Sequence, residues 1–152
     1  MNDFSPFEKR LSALIAALSP AGRRRMAQDI AKTLRTRQQQ RIKAQKAPDG
    51  SAYTPRREQP ARAKKGRVKR EMFAKLRTSR FMKATGSGDA AVVEFTGKVQ
   101  RIARVHQYGL KDKPGRNGKA VQYPERPLIG ISSEERTIIK NLVLKYLDIK
   151  GD

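Results

Sequence analysis

The sequence predicts an α+β protein with two N-terminal helices, a small antiparallel sheet containing a β-hairpin, and a C-terminal amphipathic helix. Three observations carry this expectation. Apolar residues recur at helical spacing between Phe7 and Leu34, and again between Ile138 and Leu147. Between those blocks, two short runs rich in alternating apolar residues flank Gly86-Ser-Gly-Asp89, a hairpin signal. The intervening stretches are basic and rich in glycine or proline, as connections are.

The first helix opens at Ser5-Pro6-Phe7-Glu8. Ser5 can cap, Pro6 suits the first helical position, and Glu8 completes a capping box. Phe7, Leu11, Leu14, Ile15 and Leu18 then form its apolar stripe. Ser19-Pro20 repeats the device, and Met26, Ile30 and Leu34 line the second helix beside Ala27 and Ala31. The stripe thins after Thr36 into Gln38-Gln-Gln-Arg-Ile-Lys43. A helix continued to Ala44 is roughly 37 Å long, and its far half carries too little apolar surface to be covered by its own chain. Pro48-Asp49-Gly50 marks a turn. Met72, Phe73 and Leu76 suggest a short helix. Phe81–Thr85 and Ala91–Phe95 read as strands, the second presenting Ala91, Val93 and Phe95 on one face. Arg101–Tyr108 fits a short helix closed by Gly109, and its alternation also fits a strand; the helix is the preferred reading. Val121–Tyr123 can return as a third strand. Ser132-Ser-Glu-Glu135 is a further capping box, followed by the stripes Ile138/Leu142/Tyr146 and Ile139/Val143/Leu147.

The 152 residues make one domain-sized unit, 1–152, with a lean core at 37% hydrophobic content. A basic flexible arm is expected over about residues 45–70, which has little apolar area to repay ordering, and a basic, glycine-containing loop over about 110–120. Against 35 lysines and arginines stand 14 acids, a formal charge of +21. Such a chain repels itself and attracts polyanions. The absence of cysteine removes disulfides, thiol nucleophiles and thiolate metal sites. The acidic start of Met1-Asn-Asp-Phe and the lack of a long apolar run argue against a signal peptide or a membrane span. The expectation is a soluble protein of the cytoplasm with no membrane partner.

Catalysis needs a positioned acid, base or nucleophile. His106 is the single histidine and reads as a packed or interface residue. Glu134 and Glu135 pair in sequence, but they fall in a first helical turn, where carboxylates complement the helix dipole. No metal-ligand spacing and no phosphate-cradling loop are present, so no enzyme activity and no cofactor are expected. The densest basic run, Arg62-Ala-Lys-Lys-Gly-Arg-Val-Lys-Arg70, lies among few aromatics. Lys64, Lys65, Arg67, Lys69 and Arg70 therefore suit an acidic partner or a nucleic-acid backbone, without reading base sequence.

Two stretches near the C-terminus carry more. One is Arg101-Ile-Ala-Arg-Val-His-Gln-Tyr-Gly109; the other is Tyr123-Pro-Glu-Arg-Pro-Leu-Ile-Gly130, placed just before the last helix. Pro127 biases Arg126 to an extended backbone, a rigid lead-in to that helix. Together these stretches resemble the phage virion morphogenesis family, the tail completion proteins of contractile-tailed phages. The resemblance implies a structural protein that finishes the tail at its head-proximal end and prepares it for head–tail joining. It makes Arg101, His106, Tyr108, Gly109, Arg126 and Pro127 the candidate assembly motif. It implies a cyclic homo-oligomer, a hexamer or a multiple of six, with tail tube or sheath and neck or head-completion proteins as partners. Phage DNA in the channel would be contacted non-specifically. The implied locations are the host cytoplasm during assembly, then the virion tail or neck. The rival reading is a stand-alone non-specific nucleic-acid-binding protein, which explains the charge but not the two motifs.

Overall fold

A computed structural model describes residues 6–56, 71–115 and 118–151. In chain order the elements are α1 (Pro6–Ala16), α2 (Pro20–Lys43), β1 (Met82–Gly86), β2 (Ala91–Phe95), α3 (Gln100–Tyr108), β3 (Lys111–Asp112), β4 (Val121–Gln122) and α4 (Ser133–Gly151). The strands form two separate two-stranded sheets, β1–β2 and β3–β4. The expected α+β class, with its two leading helices, its hairpin and its terminal helix, is the architecture observed. The chain divides into two compact units, Met1–Arg35 with Ala84–Val93 and Ser133–Asp152, and Thr36–Lys83 with Glu94–Ser132. The division falls within α2 and within the hairpin.

The first unit follows the sequence stripes. Leu18, Met26, Ile30, Leu34 and Val143 form its buried cluster, with Leu11, Ile15, Ala91, Val93, Ile139, Leu142, Tyr146 and Leu147 packed around it. Three helical faces and one strand face thus close over one another, each side chain of this size contributing about 1.5–3 kcal/mol when fully buried. Ser19 caps α2 as its position predicts: its Oγ accepts from the Gly22 amide at 3.0 Å. Ser5 lies outside the described residues. Arg23, the first member of a triple-arginine run, is not a solvated charge. It donates to the carbonyls of Leu18 (2.8 Å), Ala16 (3.3 Å) and Gly88 (3.2 Å), so it ties the end of α1 and the hairpin turn to α2. The hairpin comes very close to α2 at Gly86, where a Cβ would lie 2.3 Å from the Gln28 amide nitrogen and 2.5 Å from the Ala27 carbonyl carbon.

The second unit corrects the reading of the distal part of α2. That part does not lack cover within its own chain: Ile42 is fully buried and Gln38 is 2% exposed. The Gln38 amide oxygen accepts from the Gly130 amide at 3.2 Å and also from the Arg41 guanidinium, which in turn donates to the Gly130 carbonyl at 3.2 Å. Polar side chains that satisfy a neighbouring backbone can be buried without an apolar stripe. α2 stops where Gln45 turns to positive φ (59°). The Gln45 side chain then brackets Met72, accepting from its amide at 3.1 Å and donating to its carbonyl at 2.9 Å.

Two further expectations change here. The arm placed over about 45–70 does not begin at 45. Lys46 bridges Ala52 across the Pro48–Gly50 turn, and Tyr53 is 6% exposed; residues 57–70 lie outside the described residues. The short helix expected around Met72–Leu76 is a run of turns, because Phe73 takes φ +65°, which a right-handed helix cannot contain. Met72 and Leu76 are nevertheless buried, as their apolar character requires. Val121–Gln122 does return as a strand, pairing antiparallel with Lys111–Asp112 rather than joining the hairpin.

Candidate functional site

The Arg101–Tyr108 segment, open between helix and strand in the sequence, is a helix. Gly109 ends it in the left-handed conformation (φ 64°, ψ 62°), and its amide donates to the Val105 carbonyl. Glycine is required twice over there, since a Cβ would sit 2.8 Å from the Glu125 amide nitrogen. Ala103 and Val105 face inward, while Ile102 and Tyr108 are 50% and 62% exposed.

The second motif, Tyr123–Gly130, is an irregular strap held by α3. The Arg126 amide donates to the His106 carbonyl at 2.7 Å. Gln107 then grips the strap with its whole amide: Oε1 accepts from Leu128 (2.8 Å) and Ile129 (3.0 Å), and Nε2 donates to the Ile129 carbonyl (2.9 Å). Leu128 is fully buried beneath. The two sequence motifs are thus two sides of one fastening.

Arg126 is 6% exposed. Its guanidinium donates to the carbonyls of Thr54 at 2.7 Å and Pro55 at 3.1 Å. Burial first, then the nearby Arg56 charge, lowers its pKa below the ordinary guanidinium value. The role of Arg126 is therefore internal: it fixes the backbone that leads into the basic 57–70 segment. Pro127 presents its carbonyl to the Tyr53 hydroxyl at 2.9 Å, and burial pushes the Tyr53 phenol up to about 12. Tyr53 was hidden in a stretch read as arm; the signal was its isolation as the one aromatic between Pro48 and Val68.

His106 stands in a row of rings. Tyr53–Phe73, Phe73–His106 and His106–Tyr123 meet edge to face with centroids 5.7, 4.9 and 5.1 Å apart. Its Nδ1 is buried without a hydrogen-bond partner among the described residues. Burial first, then the Arg126 charge, lowers its pKa below the ordinary 6.5. The imidazole is a packed ring, and no acid or nucleophile is positioned beside it in the contacts described. The unfolded chain binds a proton here at higher pH than the folded one, so protonation favours unfolding. The melting temperature is expected to fall as pH drops below 6.5, and His106→Phe is expected to flatten that part of the profile. A wild-type profile no steeper than the variant's contradicts this.

Of the assembly-motif residues, the fold brings His106, Gly109, Arg126 and Pro127 together in the fastening, while Arg101 and Tyr108 point outward. Arg101 pairs with Asp112 at 2.6 Å with its side chain 80% exposed, and this hydrogen bond lowers the Asp112 pKa. Gln107, which makes the most strap contacts, was not singled out in the sequence because a glutamine carries no directional signal of its own. Lys64, Lys65, Arg67, Lys69 and Arg70 lie outside the described residues. Among the described residues no helix is long and apolar enough to cross a membrane, and no cluster of three or more potential metal ligands occurs.

Comparison with known proteins gives a consistent picture. The model of the phage virion morphogenesis family matches residues 2–148. Tail completion protein S of Escherichia phage P2 is 50% identical over 149 residues, which cover 97% of this chain and 99% of that protein. No solved structure matches the chain.

Proposed function

This chain belongs to the phage virion morphogenesis family, and from that premise we propose that it completes the phage tail at its head-proximal end and readies it for joining to the head. The observation that carries the reading is the 50% identity to a tail completion protein across nearly the full length of both chains. Coverage of that kind includes both units and both C-terminal motifs, so it is not a shared basic tract. A purely structural role also agrees with a site whose interactions are fasteners between backbone segments.

We further propose that the subunits act as a closed ring of six or a multiple of six. The end of a tail is an axial surface, and copies that bind it equivalently must be related by rotation about that axis; a head-to-tail interface whose rotation closes makes a ring. The distal half of α2, covered within its own chain, is not the reason for this ring. Partners on the two sides would be the tail tube or sheath and the neck or head-completion proteins. A ring around the DNA path accounts for the +21 charge, because phosphates offset the repulsion between subunits. The charge equally favours a stand-alone nucleic-acid-binding protein, and position in the particle separates the two. Cryo-electron microscopy of tails carrying the tagged protein is expected to show rotationally symmetric density at the head-proximal end. Density scattered along DNA, with none on tails, supports the alternative.

A further inference from the structure

Copies of a chain with a formal charge of +21 repel one another over most of their surface. A ring of such subunits has to join where that repulsion is weakest. From Leu11 to Gly22 the chain carries no charged residue, and no other uncharged stretch in it is as long. This stretch forms most of α1 and its link to α2, within the first unit. α1 has two sides. Leu11, Ile15 and Leu18, at helical spacing, belong to or pack on the buried cluster. Ala17 comes four residues after Ala13, to whose carbonyl its amide donates at 3.1 Å, and three after Leu14, so these three lie on one outer face. All three are exposed, Leu14 by 47%. Among the described residues it is the one large aliphatic side chain of α1 left uncovered to that extent.

Charge returns only at the two ends of this face. Arg10, exposed one turn before Leu14, marks the first. At the other end Arg23 turns its guanidinium onto the carbonyls of Ala16, Leu18 and Gly88, where the C-terminal end of the α1 dipole complements it, and the exposed Asp89 beside Gly88 brings the opposite sign. We propose that the outer face of α1, centred on Leu14 with Ala13 and Ala17, docks a second copy of this chain. This rests on the ring reading above, and it supplies one of the two surfaces that a head-to-tail contact joins.

The missing charge selects the occupant. A nucleic-acid backbone is held by cations, and the centre of this face has none. A protein chosen for its acidic surface finds nothing here to complement. A second copy is the partner that this chain's own charge penalises across the rest of its predominantly basic surface, so an uncharged aliphatic face serves self-contact in particular. Burial of Leu14 then drives the contact, and salt, which screens the remaining repulsion, strengthens it.

The test reads self-association of the full-length protein by sedimentation velocity across a sodium chloride series. The same comparison is made by chemical cross-linking of copies bound to tails from a phage whose copy of this gene is disabled. Wild type should associate, and more tightly as salt rises. Leu14→Glu should weaken association by about tenfold or more, because a carboxylate buried there meets no cation, although it lowers the repelling net charge. Ala17→Glu should act in the same direction. Ile102→Glu makes the same change of charge at an exposed position of the other unit, and it should associate at least as tightly as wild type. All three variants should keep the wild-type circular dichroism melt. If Leu14→Glu and Ala17→Glu, folded, associate like Ile102→Glu in solution and on tails, the proposal is overturned and the ring reading stands. Tighter association of Leu14→Glu, or wild-type association that weakens with salt, also overturns it, because the contact is then made by complementary charge. Normal self-association with loss of tail binding in Leu14→Glu assigns the face to a tail protein instead. A wild type that stays monomeric both in solution and on tails removes the ring reading itself, and this docking face with it.

Discussion

Gly86→Ala is expected to cost about 3 kcal/mol or more, while Gly88→Ala stays within about 0.5 kcal/mol of wild type. The two glycines sit two residues apart in the same hairpin, yet their surroundings differ completely. A Cβ on Gly86 would meet the Gln28 nitrogen at 2.3 Å and its Cα at 2.7 Å, whereas one on Gly88 meets nothing within 4 Å. The atoms opposing Gly86 are helix backbone, which cannot rotate aside as a side chain would. Accommodation must push the hairpin tip away from α2, and Ala91 and Val93 with it, opening the cluster around Met26 and Ile30. Against a total domain stability of about 5–15 kcal/mol, such a loss is large. Urea unfolding followed by circular dichroism checks it; equal midpoints for the two variants contradict the close approach.

Gly109→Val is the second large effect, expected at roughly 2–4 kcal/mol in the unit that carries the fastening. Two causes act together: the left-handed backbone at φ 64°, which a β-branched residue resists, and the Glu125 backbone, whose nitrogen would lie 2.8 Å from an added Cβ. Gly109→Asn separates them. Asparagine tolerates the left-handed region, so any loss it retains comes from the contact with Glu125. The strap should loosen in both variants, and faster amide exchange at Arg126, Leu128 and Ile129, whose amides are bonded to His106 and Gln107, is the local readout. Unchanged exchange in Gly109→Val contradicts the fastening.

Much of the first unit was legible because its signals are periodic. Met26, Ile30 and Leu34 at four-residue steps, and Val143 between Ile139 and Leu147, report burial through spacing alone. The second unit is built differently, from glutamine amides and backbone carbonyls. Gln38, Gln45 and Gln107 each satisfy a distant backbone segment, and nothing in the spacing of a glutamine says which segment that is. This is why the distal half of α2 looked uncovered. Phe73 misled for another reason: its apolar neighbours suggested a helix, and only tertiary context holds it at positive φ. For the candidate site, Gly109 was the informative residue, because a glycine after an amphipathic run favours a helix stop over a strand. The two motifs drew attention together, but the sequence could not tell that Arg126 faces inward to Thr54 and Pro55 while Tyr108 faces out. Both are polar-tipped side chains in glycine- and proline-bounded segments, and burial of such groups depends on partners far along the chain.

The central claim is that this protein makes tails competent to join heads. Its most direct test is electron microscopy of lysates from a phage whose copy of this gene is disabled, before and after addition of the purified protein. The account predicts DNA-filled heads and finished-length tails lying separate in the first sample, and joined, infectious particles in the second. Joined particles at normal yield without the protein would contradict it.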